Sequence, residues 1–178
     1  ASRRLPRIGR AAKLARPVIG AREARMAAAI DIRRFSSPDD LARIERLVSA
    51  VVRECYGHLL PDYRFDAGEN WPDSWVAEAG GEVVGVVLTA RDWLDDLWVV
   101  RPHRGRGIGA KLLALAEGEI AGRGHRCGRL RVVAGNLTAR QFYARHGWKE
   151  DRRYPHEARG FEMVEMTKAL ELGPDRTC

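Results

Sequence analysis

The sequence predicts an α/β domain built on a mixed sheet, because its strand patterns are joined both by tight turns and by helices. Alternating apolar residues from Ile30 to Arg33 are typical of a half-buried strand. Gly80 and Gly81 separate two further strand patterns by two residues, as in a hairpin. Helical segments connect the later strands. We therefore expect the element order β-α-(α)-β-β-β-α-β-α-β-β.

The first helix has a start signal just after the first strand. Ser37 suits the N-cap, Pro38 suits the first helical position, and Asp40 suits the acid of a capping-box variant. Apolar residues follow at helical spacing as far as Val52, which predicts one buried face. Residues 56–73 show no clear periodicity, so we expect a short helix or a loop there.

The later elements follow from strand alternation and from the positions of glycines. The stretch from Arg104 to Gly109 opens a helix that ends near Gly122. Asn136 is placed to cap the last helix, and Gly147 is placed to end it as a left-handed C′ residue. The remaining strands are expected at residues 74–78, 82–90, 93–100, 129–134, 149–154 and 161–168.

The formal net charge of +7 over 178 residues comes from one end of the chain. Residues 1–25 hold eight Lys or Arg and a single Glu, so the rest of the chain is neutral. We expect a basic arm over residues 1–28, one domain over residues 29–172 and a tail over residues 173–178. A nucleic-acid-binding module that uses the arm is one functional alternative. The arm lacks aromatic residues that stack on bases, which disfavours nucleic acid as a partner.

Two classes of protein are excluded by composition. No apolar run approaches the roughly 20 residues that cross a bilayer, which excludes an integral membrane protein. Cys55, Cys127 and Cys178 are odd in number and lack CxxC spacing, which argues against a disulfide scaffold or a zinc ribbon. The sequence therefore predicts a cytoplasmic protein that holds no metal.

The glycine-rich stretch at residues 104–109 is typical of a phosphate-binding loop at the start of a helix. A Walker A loop does not fit, because Lys111 is followed by Leu112 instead of Ser or Thr. The dinucleotide pattern GxGxxG/A is formally met, but the acid expected about 20 residues later is missing. A nucleotide- or dinucleotide-binding protein is therefore the second alternative.

Two motifs in this chain resemble those of the GNAT superfamily of N-acetyltransferases. Arg104, Gly107 and Gly109 match the family's Arg/Gln-x-x-Gly-x-Gly/Ala pattern. About 30 residues later, the family's Asn-x-x-Ala-x-x-Phe-Tyr-x-x-x-Gly-Phe/Trp pattern is matched by Asn136, Ala139, Phe142, Tyr143, Gly147 and Trp148. The resemblance covers residues 30–170. It implies a mostly antiparallel sheet with helices on both faces, whose fourth and fifth strands splay apart.

The resemblance also implies a function, the acetyl-CoA-dependent transfer of an acetyl group to an amine that attacks the thioester directly. The pantetheine would pair with the edge of the fourth strand, and the pyrophosphate would bind the backbone of the glycine loop. Tyr143 would act as the acid, and the Val99 N–H would stabilise the oxyanion. The implied acetyl-CoA-binding residues are Leu97, Trp98, Val99, Arg104, Gly105, Arg106, Gly107, Ile108, Gly109, Ala110, Asn136, Ala139 and Tyr143.

The resemblance leaves alternatives for the base and for the acceptor. Asp95 is preferred as the base, because it corresponds to the first acid of a Leu-Glu-Asp pattern in several family members; Asp96 or a water chain stays as an alternative. Aromatic residues that suit a cationic amine mark the acceptor side. These are Trp93, Tyr63, Trp71 and Tyr154. We expect a small-molecule or peptide amine as the acceptor, and either a monomer or a homodimer.

Overall fold

The structure is a computed structural model that describes residues 28–68 and 70–170. The basic arm expected over residues 1–28, except Ala28, and the tail expected over residues 173–178 lie outside the described residues.

The observed elements follow the predicted order. The strands are β1 (Ile30–Arg34), β2 (Trp75–Ala79), β3 (Glu82–Ala90), β4 (Trp93–Val99), β5 (Cys127–Val133), β6 (Lys149–Pro155) and β7 (Glu162–Ala169). The helices are α1 (Pro38–Tyr56), α2 (Ile108–Gly122) and α3 (Leu137–Arg145). In the segment that lacked periodicity, Tyr56 ends α1 and a 3-10 turn forms at Trp71–Asp73.

The strands form one sheet in the order β1-β2-β3-β4-β5-β7-β6. Neighbouring strands are antiparallel except for β4 and β5, which are parallel. Only two register pairs join β4 to β5, Trp93 with Arg129 and Leu94 with Leu130. Beyond Leu94 the two strands separate, which confirms the expected splay.

Helices cover both faces of the sheet, as expected. The apolar side of α1, which includes Ile44 and Val48, packs with Val76 and Val86 in one core. The apolar side of α2 packs in a second core, which also contains Tyr143 of α3. Apolar burial on both faces therefore fixes the sheet between the helices, and the opening between β4 and β5 lies at its centre.

Most local signals have the predicted geometry. Gly80 and Gly81 have positive φ angles, as a two-residue hairpin turn requires, and so does Gly147 after α3. The Asn136 Oδ1 accepts a hydrogen bond from the Ala139 N–H at 3.0 Å, which confirms the N-cap.

The capping box predicted for α1 is wrong in detail. Pro38 does begin the helix, but the Ser37 side chain makes no capping hydrogen bond. The Asp40 carboxylate instead accepts from the Ser36 N–H at 2.9 Å and is gripped by the Arg33 guanidinium at 2.8 and 2.9 Å. The guanidinium supplies a stronger partner for this carboxylate than a neutral backbone donor does.

A β-bulge in β4 changes which of its side chains lie on the α2 side of the sheet. Leu88 pairs with Asp96 and Thr89 pairs with Leu94, so Asp95 is an extra residue without a partner on β3. Leu94 therefore packs in the same core as Leu97, although residues three positions apart on a regular strand point to opposite faces. Strict alternation of side chains between the two faces of the sheet therefore does not hold at this point in β4.

Candidate active site

The edge of β4 that faces the opening carries backbone groups that bond to no other strand. The Val100 N–H donates to the Val84 carbonyl at 3.0 Å, so Val84 and Val100 form a hydrogen-bonded pair of the antiparallel ladder. Because such pairs alternate along the strands, Trp98 bonds to β3 while Leu97 and Val99 direct their N–H and C=O groups into the opening. This edge can therefore accept an extended chain of amides, as an added strand would be accepted.

The glycine loop places backbone donors at the same opening. Gly105 and Gly107 have φ angles of 75° and 78°, the left-handed region that favours glycine. Among residues 28–68 and 70–170, no hydrogen bond uses a backbone N–H from Gly105 to Ala110. The first bond of α2 runs from the Lys111 N–H to the Gly107 carbonyl at 3.1 Å. Six donors and the positive end of the helix dipole thus form an anion site.

The two arginines of the loop are held by neighbours. The Arg104 guanidinium binds both carboxylate oxygens of Glu54 on α1, at 2.9 and 3.2 Å, and its Nε donates to the Val99 carbonyl at 2.8 Å. Arg106 lies 3.0 Å from the Nδ1 of His103, and burial together with this arginine lowers the pKa of His103. The loop is therefore anchored both to β4 and to the end of α1.

Tyr143 lies in α3 and is 7% exposed. Burial raises the pKa of its phenol well above the usual range, and the nearby Tyr56 and Asp96 raise it further. Its ring packs at 5.2 Å from Phe142 and 6.1 Å from Trp148. The hydroxyl takes part in no hydrogen bond within the described part of the chain. Tyr143 is therefore a protonated phenol whose proton is available to a ligand.

Asp96 is a half-buried carboxylate whose negative charge contributes to the raised pKa of Tyr143. It accepts a hydrogen bond from the Trp98 Nε1 at 2.6 Å. Burial raises its pKa, the bond from Trp98 opposes this rise, and the charge of Asp95 adds to it. The Asp96 charge in turn contributes to the raised pKa of Tyr63 and of Tyr143. A carboxylate with a raised pKa accepts a proton more readily than an ordinary one.

Asp95 belongs to a different group of residues. It lies in the exposed bulge, where desolvation raises its pKa and the charge of Arg131 lowers it. The Arg131 guanidinium lies 4.3 Å over the ring of Trp93. The structure therefore places Asp95 beside Arg131, and it brings Asp96 into the group with Tyr143.

The acceptor-side residues predicted from the sequence do not form one cluster. Tyr63 is half-buried near Asp96. Trp71 is buried, donates its indole N–H to the Asp66 carbonyl at 2.9 Å and packs on the neighbouring Phe65 ring, as a core residue does. Tyr154 lies on β6 with the Arg152 guanidinium 5.1 Å from its ring.

Sequence reasoning missed Tyr56, the last residue of α1. The Asn136 Nδ2 donates to the Tyr56 hydroxyl oxygen at 2.6 Å across 80 positions of sequence. The Tyr56 ring stands edge-on to Trp98 at 6.3 Å. Its position four residues after Val52 was a signal that α1 continues and keeps Tyr56 on the buried face.

The described residues contain neither a candidate metal site nor a helix that could span a membrane. Neither stretch, 28–68 or 70–170, contains a cluster of three or more His, Cys, Asp or Glu suited to a metal ion. No helix within these stretches combines the length and the apolar character needed to cross a bilayer. Cys55 is a free thiol.

Comparisons with known proteins agree with this geometry. The acetyltransferase (GNAT) domain model matches residues 64–170. An uncharacterized N-acetyltransferase of Methanocaldococcus jannaschii is 36% identical over 132 residues, which are 70% of this chain and 81% of that protein. An uncharacterized N-acetyltransferase of Archaeoglobus fulgidus is 36% identical over 80 residues, 39% of this chain and 54% of that protein.

Solved structures share the fold at lower identity. Ard1 from Thermoplasma volcanium is 20% identical with a TM-score of 0.66, over 80% of this chain and 99% of that one. The structure of yncA from Salmonella typhimurium with its cofactor acetyl-CoA is 18% identical with a TM-score of 0.66, over 84% and 99% of the two chains. The domain model and the M. jannaschii relative each extend over more than half of the sequence. This chain therefore belongs to the GNAT acetyltransferase family.

Proposed function

We propose that this protein transfers the acetyl group of acetyl-CoA to a primary amine of a small molecule or peptide. The observation that carries the proposal is the open edge of β4, which has six unpaired backbone donors at one end and the pair Asp96 and Tyr143 at the other. The family relationship supports it, as do relatives that are named N-acetyltransferases and the neighbour bound to acetyl-CoA.

Acetyl-CoA fits this opening as a co-substrate with two binding modes. The pyrophosphate binds the backbone donors from Gly105 to Ala110, where the helix dipole favours negative charge. The amides of the pantetheine pair with the backbone of Leu97, which has no strand partner on that side, and the Val99 N–H is left for the thioester carbonyl oxygen. Together these contacts leave the thioester beside Asp96 and Tyr143.

The chemistry requires a base, an acid and a donor for the carbonyl oxygen. The Asp96 carboxylate accepts a proton from the substrate ammonium, and the freed nitrogen lone pair attacks the carbonyl carbon. The carbon–sulfur bond breaks, and the departing thiolate takes the proton of Tyr143. The Tyr143 phenolate then takes the second proton that the nitrogen loses as it becomes an amide, and Asp96 gives its proton to solvent. We propose Asp96 in place of the expected Asp95, because Asp96 acts on Tyr143 and Asp95 faces Arg131.

The acceptor in this proposal is a cation before it reacts. The Asp96 charge attracts an ammonium, and the ring of Tyr63 provides a surface for cation–π contact. We keep both small amines and peptide amino termini as acceptors.

A turnover screen tests the proposal. Acetyl-CoA and a panel of alkylamines, polyamines, amino acids and short peptides are incubated with the protein, and free thiol release is measured. We expect release that depends on both substrates. Tight acetyl-CoA binding with no release across the panel, under conditions where a known acetyltransferase is active, would contradict the proposed reaction.

The two alternatives have their own tests. A chain that starts at Met26 should keep full turnover, whereas a nucleic-acid-binding protein would lose a salt-sensitive affinity when the basic residues 1–25 are removed. Calorimetric titration with NAD should show no binding, whereas a dinucleotide-binding protein would prefer NAD to acetyl-CoA.

A further inference from the structure

The orientation of the Asn136 side chain is fixed by the helix that it caps. Its Oδ1 accepts the Ala139 N–H at 3.0 Å, so the other amide atom must be the nitrogen. That nitrogen lies 2.6 Å from the Tyr56 hydroxyl oxygen. An amide nitrogen only donates, so the Tyr56 oxygen is the acceptor and its own proton must point elsewhere.

The proton of Tyr56 has no partner within the described residues. None of the hydrogen bonds in residues 28–68 and 70–170 has the Tyr56 hydroxyl as its donor, although the side chain is only 9% exposed. A buried hydroxyl normally donates to something, because an unpaired buried donor has lost its hydrogen bonds to water without a replacement. The free proton therefore indicates a partner that binds from outside the chain.

The surroundings of Tyr56 place this proton at the reacting end of the opening. The ring is edge-on to Trp98 of β4, and Trp98 holds Asp96. Asn136 starts α3 on the other side of the gap between β4 and β5. Tyr56 thus spans the gap where the edge of β4 offers the groups of Leu97 and Val99, and it influences the ionisation of Tyr143.

We propose that Tyr56 is a further catalytic residue, whose hydroxyl donates a hydrogen bond to the carbonyl oxygen of the thioester. This inference rests on the proposed function. Of the three reacting atoms, the attacking nitrogen needs its lone pair free, and the sulfur takes the proton of Tyr143. The carbonyl oxygen gains charge during attack and is the atom that a second donor stabilises, beside the Val99 N–H. The bond strengthens during the step, and the Tyr56 proton stays on Tyr56.

A spectroscopic test does not require the acceptor to be known. Acetyl-CoA isotope-labelled at the acetyl carbonyl is bound to the protein, and the carbonyl stretch is measured by infrared difference spectroscopy. Donation from Tyr56 weakens the carbonyl bond, so we expect a lower frequency in the native protein than in solution. Tyr56→Phe should return the band most of the way to the frequency in solution, and Tyr143→Phe should leave it in place.

The variant Asn136→Asp distinguishes a Tyr56 hydroxyl that donates to the thioester from one that only links α1 to α3. An aspartate still caps α3 and still bonds to Tyr56, but it accepts the Tyr56 proton and turns it away from the opening. We therefore expect the same band shift as in Tyr56→Phe, and no additional shift when both substitutions are combined. If Tyr56 only ties α1 to α3, Asn136→Asp keeps the band of the native protein.

The kinetic counterpart uses the amine with the highest turnover in the panel. Tyr56→Phe should lower kcat about 10²–10³-fold, the loss typical of one oxyanion donor, with acetyl-CoA affinity retained and a small fall in Tm, because the Asn136 amide loses its acceptor. A native protein that turns over and a Tyr56→Phe variant with unchanged kcat and carbonyl band would overturn the role of Tyr56 alone. A native protein that binds acetyl-CoA without turnover would overturn the proposed reaction, while the infrared result would still decide whether Tyr56 contacts the carbonyl.

Discussion

Polar groups on the α2 side of the sheet differ from those at the opening between β4 and β5 in how completely they are hydrogen-bonded. On the α2 side, the carboxylate oxygens of Glu117 accept from the Trp148 Nε1 at 2.9 Å and the Lys168 Nζ at 2.7 Å. Those of Glu119 accept from the Trp75 Nε1 at 2.9 Å and the Thr89 Oγ1 at 3.0 Å. Every oxygen of these two carboxylates has a partner within the chain, as expected for groups that only stabilise the fold.

At the opening between β4 and β5, the polar groups keep unused capacity. Six backbone donors of the glycine loop are unpaired, and the hydroxyls of Tyr56 and Tyr143 donate to no described residue. Burial raises the pKa of Asp96 there, so its charge is poorly compensated. Donors without hydrogen-bond partners are therefore concentrated at the opening, and this is the surface where a bound ligand would supply the missing partners.

The largest expected effect comes from closing the anion site. Gly107→Asp puts a negative charge and a side chain beside the loop donors, so we expect acetyl-CoA binding to be abolished in calorimetric titration. Gly118→Asp is the matched control, because Gly118 lies in the same helix with open space around it. Gly107→Asn tolerates the positive φ of 78° and should bind more tightly than Gly107→Asp. Equal binding by Gly107→Asp and the native protein would remove the loop from the site.

The next effect comes from the phenol at the end of the opening. Tyr143→Phe removes the proton for the leaving thiolate, so kcat should fall by about 10²–10⁴-fold. The melting temperature should stay close to that of the native protein, because the hydroxyl makes no hydrogen bond to the described residues. Turnover near the native value in the phenylalanine variant would make Tyr143 a packing residue.

The two neighbouring aspartates should differ in their pH profiles. Because the pKa of Asp96 is raised, kcat should fall as the pH drops through a value above the ordinary carboxylate pKa of about 4. Asp96→Asn should lower kcat by roughly 10²-fold and remove this limb, whereas Asp95→Asn should keep it. A limb that disappears with Asp95→Asn would return the base to Asp95.

The same aspartate gives a stability prediction of opposite sign to its effect on activity. A carboxyl whose pKa is raised on folding stabilises the fold at low pH, and this contribution is lost as the pH rises through the raised value. At neutral pH the charged Asp96 therefore costs stability. Asp96→Asn should raise Tm at pH 7 by roughly 2–4 °C for each 1 kcal/mol, and the gain should vanish below about pH 4. A fall in Tm at pH 7 would contradict the burial cost.

A substitution on the α2 side should lower stability and leave activity unchanged. Glu119→Ala leaves the Trp75 and Thr89 donors without their partner, which should cost about 1–3 kcal/mol of unfolding free energy. Thermal unfolding should show the loss, while kcat and its pH profile stay at native values. A changed pH profile would mean that the two sides of the sheet are coupled.

The smallest effect on stability and activity is expected at Ser74. This residue tests whether an unpaired polar group outside the opening also marks a ligand site. In the two described stretches, its Oγ is the buried side-chain polar atom without a hydrogen-bond partner. It precedes β2 and lies outside the opening, so its unpaired state has no assigned ligand. Ser74→Ala should change stability by less than about 0.5 kcal/mol or increase it slightly, with turnover unchanged. A large loss of activity would show that Ser74 belongs to a site.

The sequence foretold the elements that depend on neighbouring residues. The hairpin at Gly80 and Gly81, the cap at Asn136 and the glycine loop each need a few adjacent residue types, and these are visible in the chain. The bulge at Asp95 was not foreseeable, because it depends on how β4 pairs with β3. The Tyr56–Asn136 bond joins positions 80 residues apart, and no local pattern encodes such a meeting.

The short seam between β4 and β5 has a consequence for how the protein unfolds. Two register pairs and the packing of α2 join the strands β1 to β4 with the strands β5 to β7. The core under α2 and the Tyr56–Asn136 bond also connect the two parts, so the protein should unfold as one unit while the seam itself opens locally. Acetyl-CoA that lies in the gap as a bridging strand would hold this seam closed. The ligand should then slow amide hydrogen exchange along β4 and β5 as well as raise the melting midpoint.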